Sequence, residues 1–117
     1  MESGFFSCVC DSESGIATVK LKGEIDHHSA SVLRRELDGL ICRVRPKTLR
    51  LDLSGVDFMD SSGLGLIVGR LVTAKEVGAS MTLTGVDART MKIFEMAGLE
   101  RMRGLAIHGK EEKRCVQ

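Results

Sequence analysis

The chain has 117 residues, of which 43% are hydrophobic and 28% charged, proportions that are typical of one soluble globular domain. Its 17 basic and 16 acidic side chains leave a net charge of +1, so the composition gives no electrostatic reason to expect binding to nucleic acid or to a membrane. No apolar run reaches the roughly 18 residues of a spanning helix, and the first residues lack the pattern of a signal peptide, which predicts a cytoplasmic protein.

The four cysteines predict neither a disulfide framework nor a metal site. None of them belongs to a CxxC pair, and none lies at zinc-ligand spacing from a histidine. We therefore expect small free thiols, no bound metal and no cofactor.

The first part of the chain predicts a β-hairpin followed by a helix. Residues 5–10 and 16–22 form the two strands, on either side of a cluster of turn-forming residues. Asp26 is the expected N-cap of a helix whose apolar stripe continues to Val44, and Pro46 prevents that helix from continuing.

The second part predicts two strand–helix units and a short last strand. A strand over 48–53 precedes a helix over 61–77, and a strand over 80–84 precedes a helix over 88–97. Residues 105–107 are expected to form the last strand, and residues 109–117 a short charged tail that is mobile or weakly helical.

The strand pattern also predicts the architecture. Strands two, three and four alternate apolar and polar residues, whereas a sheet covered on both faces would contain continuous apolar strands. The helices should therefore cover one face of the sheet and leave the other largely wet. With the order β-β-α-β-α-β-α-β, this predicts a two-layer α/β sandwich with a mixed four- to five-stranded sheet and two right-handed βαβ crossovers.

The junction between the third strand and the central helix carries the most informative residues. Asp60 is the predicted N-cap, which places Ser61 at the first helical position and Ser62 at the second. Met59 and Leu64 then occupy the two positions of a hydrophobic staple. The Ser61 hydroxyl is expected beside unpaired N–H groups and the positive end of the helix dipole, where an added phosphate would be tolerated.

Two enzyme-like interpretations of this junction fit less well. The spacing of Gly63, Gly65 and Gly69 differs from a dinucleotide-binding loop, and these glycines are better explained by close packing of the helix on the sheet. A nucleophile elbow would require a glycine two residues before the serine, which neither serine has. His27 and His28 could act as a base only if the loop at Asp26 approached the serines, so a small serine hydrolase remains a minor alternative.

Three segments resemble one known family. Residues 58–65, Phe-Met-Asp-Ser-Ser-Gly-Leu-Gly, look like the phosphorylation motif of the anti-sigma factor antagonists, single-domain members of the STAS family of the sporulation and general-stress types. Residues 23–30 and 94–99 resemble two further motifs of the family, in the right order and at fitting distances. The resemblance covers about the first 105 residues and implies a STAS domain over 1–108, followed by the tail over 109–117.

The resemblance implies a regulatory cycle without catalysis by this chain. Ser61 would be phosphorylated by an anti-sigma factor that is itself an ATP-dependent serine kinase. The unphosphorylated antagonist would bind that factor and free the sigma factor, and a serine phosphatase acting on phospho-Ser61 would restore binding. The free chain is expected to be a monomer.

We expect the partner to contact the residues around this serine, with Met59 exposed among them. The expected partner-binding residues are Asp26, Met59, Asp60, Ser62, Gly63 and Leu64. Family members usually end in a further helix, and the brief tail of this sequence departs from that pattern. The alternative function is that of a STAS interaction module in another signalling assembly or a transporter regulator.

Overall fold

A computed structural model describes residues 6–110, and its elements follow the predicted order. The strands are β1 (Phe6–Asp11), β2 (Ile16–Ile25), β3 (Thr48–Met59), β4 (Ser80–Val86) and β5 (Leu105–Gly109). The helices are α1 (His27–Val44), α2 (Ser61–Glu76) and α3 (Ala88–Ala97), with a 3-10 turn at Leu99–Arg101. Among these residues no helix is long and apolar enough to cross a membrane.

The five strands form one mixed sheet in the order β1-β2-β3-β4-β5. β1 pairs antiparallel with β2, and every other neighbouring pair is parallel. Each parallel pair is joined through one helix, so the fold contains three βαβ crossovers, one more than predicted. The additional crossover arises because β5 lies parallel to β4 at the edge of the sheet.

The sheet is buried on one face only, as the alternating strands predict. The register places Val19, Leu51 and Leu83 side by side, and each is 0% exposed. The residues that follow them, including Lys20 and Thr84, belong to the opposite face and are exposed or half-buried. Asp52 is the exception on that face, because it is buried in the central strand, where its Oδ1 accepts a hydrogen bond from Ser54 N (3.0 Å). The two-layer sandwich is therefore confirmed.

Strands β2 and β3 extend further than their sequences predict. The alternation in β2 breaks after Lys22, and β3 contains turn-forming residues after Leu53, so both strands were expected to end there. Instead they remain paired, through two register shifts, until Ile25 lies opposite Met59. The extension brings the starts of α1 and α2 next to each other.

The predicted helix ends are largely confirmed. α1 ends at Val44, and Arg45 adopts a left-handed conformation (φ 50°) just before Pro46. α3 spans its predicted range and ends at Gly98, which is also left-handed. β5 reaches Gly109, one residue beyond the predicted domain boundary, and Lys110 N donates to Val86 O (3.1 Å). The predicted start of β1 at residue 5 and the tail over 111–117 lie outside the described residues.

Leu71 and Val72, which are adjacent in α2, test which side of the helix faces the core. Leu71 is 1% exposed, whereas Val72 is 54% exposed, although both are apolar residues of the same helix. We expect Leu71→Ala to lower the free energy of unfolding by about 2–5 kcal/mol. Val72→Ala should change it by less than about 0.5 kcal/mol. Urea denaturation of both variants measures the difference, and equal losses would contradict the one-sided packing.

Candidate functional site

The candidate site lies where two helices begin side by side. Asp60 N donates to Ile25 O (3.3 Å), which links the end of β3 to the end of β2. The next residue on each strand, Asp26 and Asp60, is the N-cap of the helix that follows. The carboxyl ends of parallel strands thus place two capped helix N-termini at one edge of the sheet.

Asp26 is held in a capping box that the sequence did not reveal. Its Oδ1 accepts from Ser29 N (3.0 Å), and Ser29 Oγ accepts from Asp26 N (3.0 Å). Ser29 also donates to Glu24 O (2.9 Å) and is 3% exposed. The bond from the Ser29 amide lowers the pKa of Asp26. The third helical position of a capping box usually holds Glu or Gln, so a serine there gave little signal.

Asp60 caps α2 as predicted and fixes the positions of both serines. Its Oδ1 accepts from Ser62 N (2.8 Å) while its backbone remains extended. Ser61 is the first residue of α2 and is exposed. Ser62 is half-buried and belongs to the wall of a groove between α1 and α2. Ser61 is therefore the more accessible hydroxyl at a helix N-terminus.

The expectation of an exposed Met59 is wrong. Met59 is 5% exposed, because it turns from the end of β3 into the core beneath α2. Gly63 is buried directly above it, and a Cβ on Gly63 would approach Met59 Sδ to 2.7 Å. Leu64, at the other position of the predicted staple, is half-buried and packs against the same core. Met59 therefore supports the serine-bearing turn from below.

Gly65 and Gly69 do not serve the packing role expected of them. A Cβ at either position would find no atom within 4 Å, so only Gly63 allows close approach in α2. Both residues instead border the groove between α1 and α2, whose volume is about 330 Å³. Its other lining residues are His27, Ala30, Ser31, Arg34, Ser62, Leu66 and Arg70.

His27 and His28 are the candidate bases of the alternative hydrolytic site. His27 and Ser62 border the same groove, and both histidines are exposed. Within residues 6–110, neither Ser61 nor Ser62 makes a hydrogen bond to a histidine, which is the contact that would activate a nucleophile. The structure thus brings together capped helix ends and an exposed serine, without a nucleophile–base pair.

Arg70 is the residue at this site that the sequence analysis missed. It is 6% exposed at the base of the groove, and its Nε lies 2.8 Å from Asp38 Oδ1. Burial lowers the pKa of Arg70, and the nearby Asp38 opposes that shift. Helical spacing could have indicated it, because Ser62, Leu66 and Arg70 follow one another at intervals of four along α2.

The fold and the two capped helix N-termini together define a class of protein. It is a small α/β domain that presents an exposed serine at one of two neighbouring, carboxylate-capped helix N-termini. Such a surface suits recognition by another protein and modification of the serine hydroxyl.

Comparison with known proteins places the chain within this class. Residues 9–112 match the STAS domain, and the chain belongs to the STAS domain family. It is 36% identical over 85 residues to the anti-sigma F factor antagonist of Paenibacillus polymyxa, a match that covers 73% of each chain. It is 39% identical over 82 residues to the anti-sigma-B factor antagonist of Bacillus subtilis, covering 70% of this chain and 73% of the relative.

A solved structure supports the same assignment. The chain resembles the Bacillus cell fate determinant SpoIIAA in its phosphorylated form, with a TM-score of 0.68 and 26% identity. That similarity covers 96% of this chain and 99% of the other. The predicted family and the predicted fold are both confirmed.

Two neighbouring glycines test how the serine-bearing turn is supported. Gly63→Ala should lower the free energy of unfolding by about 1–3 kcal/mol, because the new methyl group overlaps the buried Met59. Gly65→Ala should be neutral or stabilising by up to about 1 kcal/mol, because it adds helix propensity in open space. Chemical denaturation measures both, and a Gly63→Ala variant as stable as Gly65→Ala would refute the support by Met59.

The cap of α1 should be visible in an acid titration. The Ser29 amide stabilises the charged form of Asp26 and lowers its pKa below the ordinary 3.8. The cap therefore stabilises the folded state above that ordinary value, and its contribution is lost as the pH falls through the lowered one. Carboxyl-carbon NMR should give a midpoint for Asp26 below 3.8. A midpoint at or above this value would contradict the cap.

Proposed function

We propose that this chain is an anti-sigma factor antagonist that is switched by phosphate on Ser61. Its unphosphorylated form binds an anti-sigma factor with ATP-dependent serine kinase activity and thereby releases a sigma factor in the cytoplasm. Phosphorylation of Ser61 ends that binding, and a serine phosphatase restores it. In this cycle the chain is a substrate and a binding partner, and it is not an enzyme.

The observation that carries the proposal is the exposure of Ser61 at the first position of α2. Relatives that are named anti-sigma factor antagonists and are more than 35% identical support it. Ser62 is the weaker candidate for phosphorylation, because it is half-buried, whereas Ser61 is exposed.

A phosphate on Ser61 should leave the fold almost unchanged. It adds about −1.5 to −2 charges at pH 7, and the dipole of α2 stabilises it by about 0.3–1 kcal/mol. The neighbouring carboxylates of Asp26 and Asp60 repel it by a similar amount, since both lie at the same edge of the sheet. The two effects roughly cancel at an exposed site.

The same phosphate should act strongly on an interface. Burying an unpaired dianion against a partner costs several kcal/mol, and a loss of about 4 kcal/mol is already roughly a thousandfold in affinity. The proposed switch therefore blocks an interface without refolding the domain.

We propose that the partner contacts the surface around Ser61. Asp26, Asp60, Ser62, Gly63 and Leu64 remain the expected partner-binding residues. Met59 contributes from below, because it positions the turn without being exposed.

Variants of the two serines test the switch against the anti-sigma kinase encoded in the same genome. Ser61→Ala should bind that kinase whether or not ATP is present, because it cannot be phosphorylated. Ser61→Asp should bind at least about tenfold more weakly, because it keeps part of the negative charge. Calorimetric titration measures both affinities, and equal affinities would contradict the proposal.

Ser62→Ala is the matched control for the choice of serine. It should still be phosphorylated by the kinase, as measured by intact-mass spectrometry. A variant that no longer accepts phosphate, while Ser61→Ala still does, would show that Ser62 is the modified residue.

A further inference from the structure

The groove between α1 and α2 is lined by Ser62, next to Ser61, at one end and by the positively charged Arg70, about two turns further along α2. α2 contributes small residues to its wall, since Gly65 and Gly69 have no side chain and Ser62 has only a hydroxymethyl group. α1 contributes the opposite wall, with Arg34 exposed. Arg70 is only 6% exposed beneath these walls, so an acceptor in the groove reaches its guanidinium through a small movement of that side chain.

Arg70 has an unused hydrogen-bond donor at the base of the groove. Arg70 Nε forms an ion pair with Asp38 Oδ1 at 2.8 Å, but the two groups are not aligned as a hydrogen bond. Its Nη1 is buried, and within residues 6–110 it has no hydrogen-bond partner. A buried guanidinium nitrogen without a hydrogen-bond acceptor is energetically costly. Binding of an incoming acceptor would therefore be favoured.

The charges of the groove favour an anion with a single charge. Arg34 and Arg70 are close enough for their positive charges to repel each other, and Asp38 is the one carboxylate paired with Arg70 in the described residues. Two guanidinium groups and one carboxylate leave a net charge of +1. A carboxylate neutralises that charge, and its two oxygens suit the guanidinium fork.

We propose that this groove binds an aspartate or glutamate side chain of the anti-sigma factor, with the guanidinium groups of Arg70 and Arg34 as its partners. The inference rests on the proposed function, because Ser62 belongs to the groove wall and directly follows Ser61, so a protein docked over Ser61 also covers the groove opening. The carboxylate gives the interface a specific anchor about two turns of α2 away from the switch residue.

Acetate is the probe for the isolated protein. In the wild type, titration with sodium acetate at constant ionic strength should shift the Arg70 Nε–Hε resonance and the amides of Gly65 and Gly69 saturably in NMR spectra. Inorganic phosphate, titrated in parallel, should bind more weakly. The absence of saturable shifts with acetate would overturn the proposal, as would tighter binding of phosphate.

Adjacent arginines of α1 supply a matched pair of variants. Arg34→Gln should weaken acetate binding about three- to fivefold, because it removes the exposed charge of the groove. Arg35→Gln makes the same charge change outside the groove lining and should leave acetate binding unchanged. Equal effects of the two variants would overturn the proposal, because they would reflect net charge alone.

Asp38→Asn separates a binding role of Arg70 from a structural one. Removing the internal counter-charge should tighten acetate binding by about threefold or more, since the positive charge of Arg70 would no longer be partly neutralised by Asp38. A folded Asp38→Asn variant with unchanged or weaker acetate binding would overturn the proposal.

The same pair of variants tests the partner. Arg34→Gln should lower affinity for the anti-sigma kinase by about three- to fivefold, and Arg35→Gln should not. If the kinase binds the wild type and both variants equally, the groove proposal fails while the proposed function stands. If the kinase does not bind the wild type, the proposed function fails, and the groove is then not an anchor for that partner even if acetate binds.

Discussion

The pairing of the last residues of β2 and β3 is the constraint on which the rest of the site depends. The Asp60 amide reaches Ile25 O only because both strands continue past the points where their sequences break the alternation. Without that pairing, the N-termini of α1 and α2 would not lie at the same edge of the sheet, and their caps would not share one surface. Two helix dipoles, two carboxylates and the accessible serine are thus positioned by a short stretch of parallel β-structure.

The fold and the proposed interface place different demands on the two capped helix N-termini. Each N-terminus already has a carboxylate as its cap, so the fold requires no further anion there. Under the proposed switch, a phosphate on Ser61 would therefore cost the domain little. A partner that covers the same surface lacks that tolerance, because it removes the water that would otherwise solvate the phosphate.

Local rules predicted the order of the elements, the single covered face and both caps, because alternation and capping are properties of neighbouring residues. They failed where the outcome depends on residues distant in the sequence. Met59 directly follows the exposed Phe58, and only the finished packing shows that it turns beneath α2 and is buried under Gly63. From the sequence alone, Arg70 resembles an exposed helix residue. Only the packing of α1, which contributes Asp38, shows that it is buried. The roles of Gly65 and Gly69 likewise depend on the distance between two helices, which no local pattern specifies.

The glycines of α2 also affect how readily its first turns open. Gly63, Gly65 and Gly69 all lie within the first nine residues of the helix, and each lowers helix propensity by about 1 kcal/mol relative to alanine. The first turn of α2, which precedes the buried Leu66 and Ile67, therefore unwinds at a lower free energy than the rest of the helix. Transient unwinding would extend the backbone on either side of Ser61, the form in which a kinase cleft can surround a hydroxyl. In the proposed cycle, the serine would thus be held by a helix that is folded enough to present it to a partner and loose enough to let a kinase reach it.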